Sequence, residues 1–152
     1  MKIFVKNKQK SLSLQTASVK AITRFVLEEI YSVTCDQVSI HFVSTKTMQK
    51  LHEDFFDDPS ETDCISFPID SPWDQKSPCS VLGEIFVCPN TAIKYTDLHG
   101  GDPLEETTLY IVHGLLHLLG YDDIDPKDRK EMRKQEKKCL SLVKSQGLGL
   151  SP

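Results

Sequence analysis

His113-Gly-Leu-Leu-His117-Leu-Leu-Gly-Tyr-Asp-Asp123 is the stretch on which the reading of this chain turns. Two histidines four residues apart on a helix share one face, with Cβ atoms about 5–6 Å apart. Their imidazoles can close on a single cation at about 2.0–2.1 Å each. Residues 109–119 read LYIVHGLLHLL, apolar nearly all the way round, so the helix is expected inside the protein. Imidazoles placed there need partners, because polar groups taken out of water alone are costly. Gly120 follows at once, where a left-handed residue can end the helix. The chain then turns back, and Asp122 or Asp123 can supply a third ligand. Paired histidines alone are a weak signal. Joined to an apolar helix, a glycine stop and an acid just beyond, they outline a metal site with three protein ligands and an open position.

A chain of 152 residues suits one domain, residues 1–152, with one sizeable core. The net charge of −4 argues against indiscriminate nucleic-acid binding. That sum conceals an asymmetry. Residues 126–144 hold eight basic and three acidic side chains, +5 in all, so the remainder carries −9. Lys127, Lys130, Lys134, Lys137 and Lys138 form a basic helix face on an acidic body, either a contact surface or a solvated face. The five cysteines (Cys35, Cys64, Cys79, Cys88, Cys139) are odd in number and form no CxxC. With no secretory signal in MKIFVKNKQK, they are expected as reduced thiols of a cytoplasmic protein. No apolar run approaches the ~20 residues of a membrane span.

Periodicity organises the rest. Strands are expected at residues 3–5, 38–43, 64–67 and 82–87, and a helix over 14–31 with Ser13 as its cap. Ser44 and Thr45 lead into a helix over 47–56 that carries Met48, Leu51 and Phe55 on one face. A loop around Trp73 separates the third and fourth strands, and 90–97 reads as helical. Asp102 can cap the histidine helix, with Pro103 in its first turn and Glu105 and Glu106 at the positive end of its dipole. Asp125 and Pro126 start the last helix in the same way, with Met132, Cys139, Leu142 and Val143 as its apolar side. The order β-α-β-α-β-β-α-α-α predicts an α+β fold, a small mixed four-stranded sheet packed with about five helices and the metal site at the end of a buried helix.

HGLLHLLGYDD closely resembles the signature of the YbeY family of rRNA-maturation endoribonucleases, H-G-x-L-H-L-x-G-Y-D-H. Thr62-Asp-Cys-Ile-Ser-Phe-Pro68 is similar to that family's TDVLSFP strand, and Leu82-Gly-Glu-Ile85 to its LGDI strand. Met132, Gln135 and Glu136 fall where its final helix has similar residues. The resemblance implies an α+β fold with one divalent metal ion, zinc first, at the base of a cleft. It implies cleavage of single-stranded RNA, maturation of small-subunit rRNA 3′ ends, and contact with the small ribosomal subunit or its assembly factors. His113 and His117 match the first two ligands. Asp123 stands where the family has a third histidine, which makes the site one unit more negative and shifts its preference towards harder metals. Asp122 matches as well and is assigned to the turn. The family's YR pair falls on Phe55-Phe56, so Phe56 replaces an arginine, and loss of one such donor can cost about a hundred- to a thousand-fold in rate. Lys50 is a possible substitute.

His113, Thr62, Asp63 and Ser66 are the candidate catalytic residues, the last three lining the cleft and orienting phosphate or water. A local turn hydrogen bond is the competing explanation for those three. At least one of Phe55 and Phe56 is expected in the core. Two other functions compete. A zinc peptidase needs a general-base glutamate directly after the first histidine, and Gly114 stands there. A ribosome-assembly factor with a metal-pinned helix end is favoured by the missing arginine and the acidic loop Glu53, Asp54, Asp57, Asp58 and Glu61. A structural site is usually closed by four protein ligands, and only three are evident.

Overall fold

Four strands, β1 (Lys2–Asn7), β2 (Gln37–Phe42), β3 (Cys64–Pro68) and β4 (Val81–Val87), form one sheet in the order β1-β2-β4-β3. The computed structural model describes residues 1–152. β1, β2 and β4 run parallel, and β3 pairs antiparallel to β4 as an edge strand. Alternation drives this arrangement: Val38, Ile40 and Phe42 of β2 all point to one side and are completely buried. Five helices complete the fold: α1 (Thr16–Arg24), α2 (Thr45–Phe56), α3 (Pro89–His99), α4 (Pro103–Leu118) and α5 (Pro126–Ser145). The expected α+β class, mixed sheet and element order are all present. No helix is long and apolar enough to cross a membrane.

The two sides of the sheet are unequal. One joins α1, α4 and α5 in a core of 26 buried residues. The other holds a cluster of four, Val43, Met48, Ile65 and Cys88, under α2. This small second layer corrects an expectation about Phe55 and Phe56. Met48 and Leu51 already fill it, so the last turn of α2 lies at its rim, and the two phenylalanines are 62% and 55% exposed. Leu142, expected on the apolar side of α5, is also at the surface, whereas Met132, Cys139 and Val143 are buried.

Two further expectations are revised. Ser13 does not cap the first helix, which begins at Thr16 with no side-chain cap. The entry is tied instead to the chain's last residues: the Gln15 amide donates to the Ser151 carbonyl, and the Ser151 amide to Ser18 Oγ. A π-helical stretch, Phe25–Ile30, then continues α1. The cysteines are not all reduced, since Cys35 and Cys79 form a disulfide with Cα atoms 4.7 Å apart. The reason is topological. These residues precede β2 and β4, parallel neighbours with Gln37 opposite Val81, so the approaching segments run side by side. Cys64, Cys88 and Cys139 remain free.

α4 is the central element. Nine of its residues are buried, among them Ile111, Leu115 and Leu116 with no exposed surface. Asp102 caps it by accepting from the Leu104 amide. Its buried Thr107 and Thr108 satisfy their hydroxyls on the carbonyls of Pro103 and Leu104. Close approach to the sheet depends on Gly114, where an added Cβ would lie 2.8 Å from Cys64 Sγ and 3.1 Å from Ile85 Cγ2. Gly114→Ala is therefore expected to destabilise the protein. Alanine gains about 1 kcal/mol of helix propensity, but overpacking a full interior typically costs about 1–3 kcal/mol. A urea midpoint at or above wild type would show that the sheet can yield.

Candidate metal centre

The end of α4 is built by local hydrogen bonds. Gly120 takes φ = 100°, and the amides of Gly120 and Tyr121 donate back to the carbonyls of His117 and Leu116. The indole of Trp73 donates to the Leu119 carbonyl at 2.8 Å, so the long loop closes over the same helix end. Asp122 Oδ1 accepts from the amides of Asp123 (2.7 Å) and Ile124 (3.3 Å), which confirms its assignment to the turn. Arg129, on the first turn of α5, donates from Nε to the Asp123 carbonyl and from Nη2 to that of Ile124. Asp125 caps α5 by accepting from the Lys127 amide. The reversal is braced on both sides.

Its product is a convergence of three ligand atoms. His113 Nε2 and His117 Nε2 lie 3.1 Å apart, and Asp123 Oδ2 is 3.5 Å from the first and 3.6 Å from the second. A tetrahedral ion with bonds of about 2.0–2.1 Å separates its ligands by roughly 3.3–3.4 Å, so the triangle has the size such an ion needs. His113, His117 and Asp123 are the one group of three or more His, Cys, Asp or Glu side chains with converging donor atoms.

The far nitrogens orient the rings. His117 Nδ1 donates to the Tyr121 carbonyl at 3.0 Å. His113 Nδ1 faces Glu136 Oε2 at 3.6 Å, and that oxygen is buried without any hydrogen-bond partner. With the Nδ1 positions protonated, both Nε2 lone pairs point into one space beside a carboxylate. Three such atoms at this spacing could hold a cation between them, and imidazole–imidazole–carboxylate is a donor set that suits a divalent metal. The titration of His113 agrees. Burial pushes its pKa down, but Glu136, Asp63 and Asp123 together outweigh burial and hold it above the usual histidine value.

The other candidates divide between two flanks. Thr62 and Ser66 line a cleft of about 380 Å³ with His117 and Asp123. Ser66 Oγ donates to the Gly114 carbonyl at 3.2 Å, so its hydroxyl is already engaged with α4. Asp63 lies on the other flank, in a second recess with His113, Glu106, Tyr110 and Glu136. There burial, and to a smaller extent the Asp63 charge, raises the pKa of Glu106. Lys50 is exposed on α2 and does not line the cleft. Sequence reasoning marks Glu136 only as a family-like position and misses its place behind His113. A signal is nevertheless present: Met132, Glu136, Cys139 and Val143 follow i, i+4, i+7, i+11, which puts a carboxylate on the buried stripe of α5.

Glu136→Gln is expected to lower the His113 pKa in the metal-free protein, measured by NMR titration, because the largest raising influence is removed. The same change should weaken metal binding about ten- to a hundred-fold in a chelator competition. In the wild type, affinity should fall as pH drops through the His113 pKa, where protons compete for Nε2. Unchanged affinity in the variant would separate Glu136 from the site.

The chain has clear relatives among known proteins. The model of the family described as endoribonuclease YbeY matches residues 4–144. The endoribonuclease YbeY of Protochlamydia amoebophila is 50% identical over 138 residues, 91% of this chain and 90% of that protein. That of Chlamydia felis is 40% identical over 154 aligned positions, covering 99% and 96%. In three dimensions the chain is similar to the solution structure of TM1509 from Thermotoga maritima, with a TM-score of 0.66 at 22% identity over 95% of this chain and 91% of that one, a likeness of fold. The convergence of His113, His117 and Asp123 lies within the matched residues, and this chain belongs to the endoribonuclease YbeY family.

Proposed function

We propose that this chain is a metal-dependent endoribonuclease that cuts single-stranded RNA. Its place is in maturation of small-subunit rRNA 3′ ends and in ribosome quality control, in the cytoplasm, alongside the small subunit or its assembly factors. Family membership supplies the nuclease activity. The observation that carries the metal dependence is the three-atom convergence with no fourth protein ligand, since a site meant only to pin a fold is usually closed by four. A divalent ion there, zinc on the nitrogen-rich donor set, supplies Lewis acidity that makes water a nucleophile near neutral pH and draws charge from a phosphate oxygen.

The chain's own residues do the rest. The Tyr121 carbonyl accepts from His117 Nδ1, and the Glu136 carboxylate 3.6 Å from His113 Nδ1 favours a proton on that nitrogen, so both Nε2 atoms face inward. Thr62, with the hydroxyl of Ser66 behind it, borders the place where a phosphodiester enters, and Asp63 supplies negative charge beside His113. Lys127, Lys130, Lys134 and Lys137 form an open basic surface on α5 that can follow an RNA backbone. Arg129 starts the same helix but commits its guanidinium to the ligand loop, so it does not replace the arginine missing at Phe56.

A peptidase reading fails on space as well as on residue type. Position 114 faces the sheet and has no room even for a Cβ, let alone a general-base carboxylate. A weakly catalytic assembly factor is the one second reading with an observation behind it, the acidic surroundings of Phe56 in place of an arginine.

The test is cleavage of a single-stranded oligoribonucleotide and of a folded rRNA fragment by metal-loaded wild type and His117→Ala. Wild type should cut the single strand, and the variant should lose at least a hundred-fold while still binding RNA. Replacing Lys130, Lys134 and Lys137 with glutamine should make binding less sensitive to salt. The log–log slope should fall by about one for each phosphate that no longer meets a lysine. RNA bound but never cut by wild type, with any divalent metal, would establish the assembly-factor reading instead.

A further inference from the structure

The metal chemistry leaves one edge of the cleft unused. Phe56 and Ile124 border it together with Thr62, His117 and Asp123, and these two apolar side chains are 55% and 81% exposed. Phe56 ends α2, where Asp57 reverses the chain at φ = 55°. One turn back, the His52 ring lies 5.6 Å from that of Phe56. His52 Nδ1 is bonded to the Ser60 carbonyl at 3.0 Å, so the loop after the helix is tied to it. Phe56 is therefore held out on a braced turn. Phe55 differs, since it packs edge-on against Phe67 at 4.9 Å.

Charge says what can rest there. Glu53, Asp54, Asp57 and Asp58 are exposed on either side of Phe56, and no lysine or arginine borders the cleft. At this rim, away from Thr62, a phosphate would meet carboxylates and no cation. A nucleobase needs none, because it offers an uncharged π face and stacks on an aromatic ring without help from a cation.

Resting on the endoribonuclease reading above, we propose that Phe56 stacks an unpaired base of the RNA beside the bond to be cut, with Ile124 as a second apolar wall. In a duplex both faces of a base are covered by its neighbours, so this contact selects single strands. It makes Phe56 a specificity-determining residue. Recognition here runs through a base, whereas an arginine at the same position would act on a phosphate.

The experiment is a double-mutant cycle between protein and RNA. One oligoribonucleotide and a set carrying a single abasic site at each position in turn are cut by wild type, Phe56→Ala and Phe56→Trp. Phe56→Ala should lower kcat/KM on the intact strand about ten-fold or more. At one abasic position it should cause no additional loss, and Phe56→Trp should keep the wild-type pattern. Metal stoichiometry should be the same in all three proteins. The cycle is also read as binding, by fluorescence anisotropy, so failure to cut is distinguished from failure to stack. Strictly additive losses at every position, or an alanine variant equal to wild type, would overturn the proposal, as would wild type that binds none of these strands.

Discussion

Two imidazole nitrogens 3.1 Å apart, with a carboxylate oxygen 3.5–3.6 Å from each, repel one another unless a proton or a cation lies between them. The surrounding structure holds them there. The Tyr121 carbonyl accepts from His117 Nδ1, and the Glu136 carboxylate lies 3.6 Å from His113 Nδ1. The Gly120 turn returns the chain, and Asp122 and Arg129 brace the loop that delivers Asp123. Together these contacts shape a place that could hold a cation. In the metal-free protein a proton is the available substitute, in keeping with the raised pKa of His113.

The fold supplies the rigidity this needs. α4 lies on the sheet through Gly114, where an added Cβ would meet Cys64 Sγ at 2.8 Å, and α5 packs on α4 with Glu136 on its buried stripe. A helix anchored on both sides can hold two ligands within tenths of an ångström, as a site assembled from loops alone cannot. The flank beside β3 is more open: β3 is an edge strand, and the last turn of α2 exposes its phenylalanines.

What could be read in the sequence was mostly local. The Asp102 and Asp125 caps, the Gly120 stop and the strand alternation depend on neighbours a few residues away, and each is present as expected. The convergence of His113, His117 and Asp123 was legible because the three residues span one helix and one turn. Contacts between distant segments were not. The Cys35–Cys79 disulfide follows from the parallel pairing of β2 with β4, which no cysteine spacing encodes. Trp73 reaches Leu119 across 46 residues. At least one of Phe55 and Phe56 was expected in the core because apolar residues usually lie there, but the layer beneath α2 was too small to take either.

X-ray absorption at the zinc edge of the protein loaded with one equivalent of metal tests the central claim most directly. Two imidazole nitrogens and a carboxylate oxygen at about 2.0–2.1 Å, with one further light-atom ligand exchangeable with solvent, is the result that follows from the geometry. A sulfur ligand from Cys64 or Cys139, a shell closed by four protein donors, or an ion that His117→Ala fails to displace would contradict it.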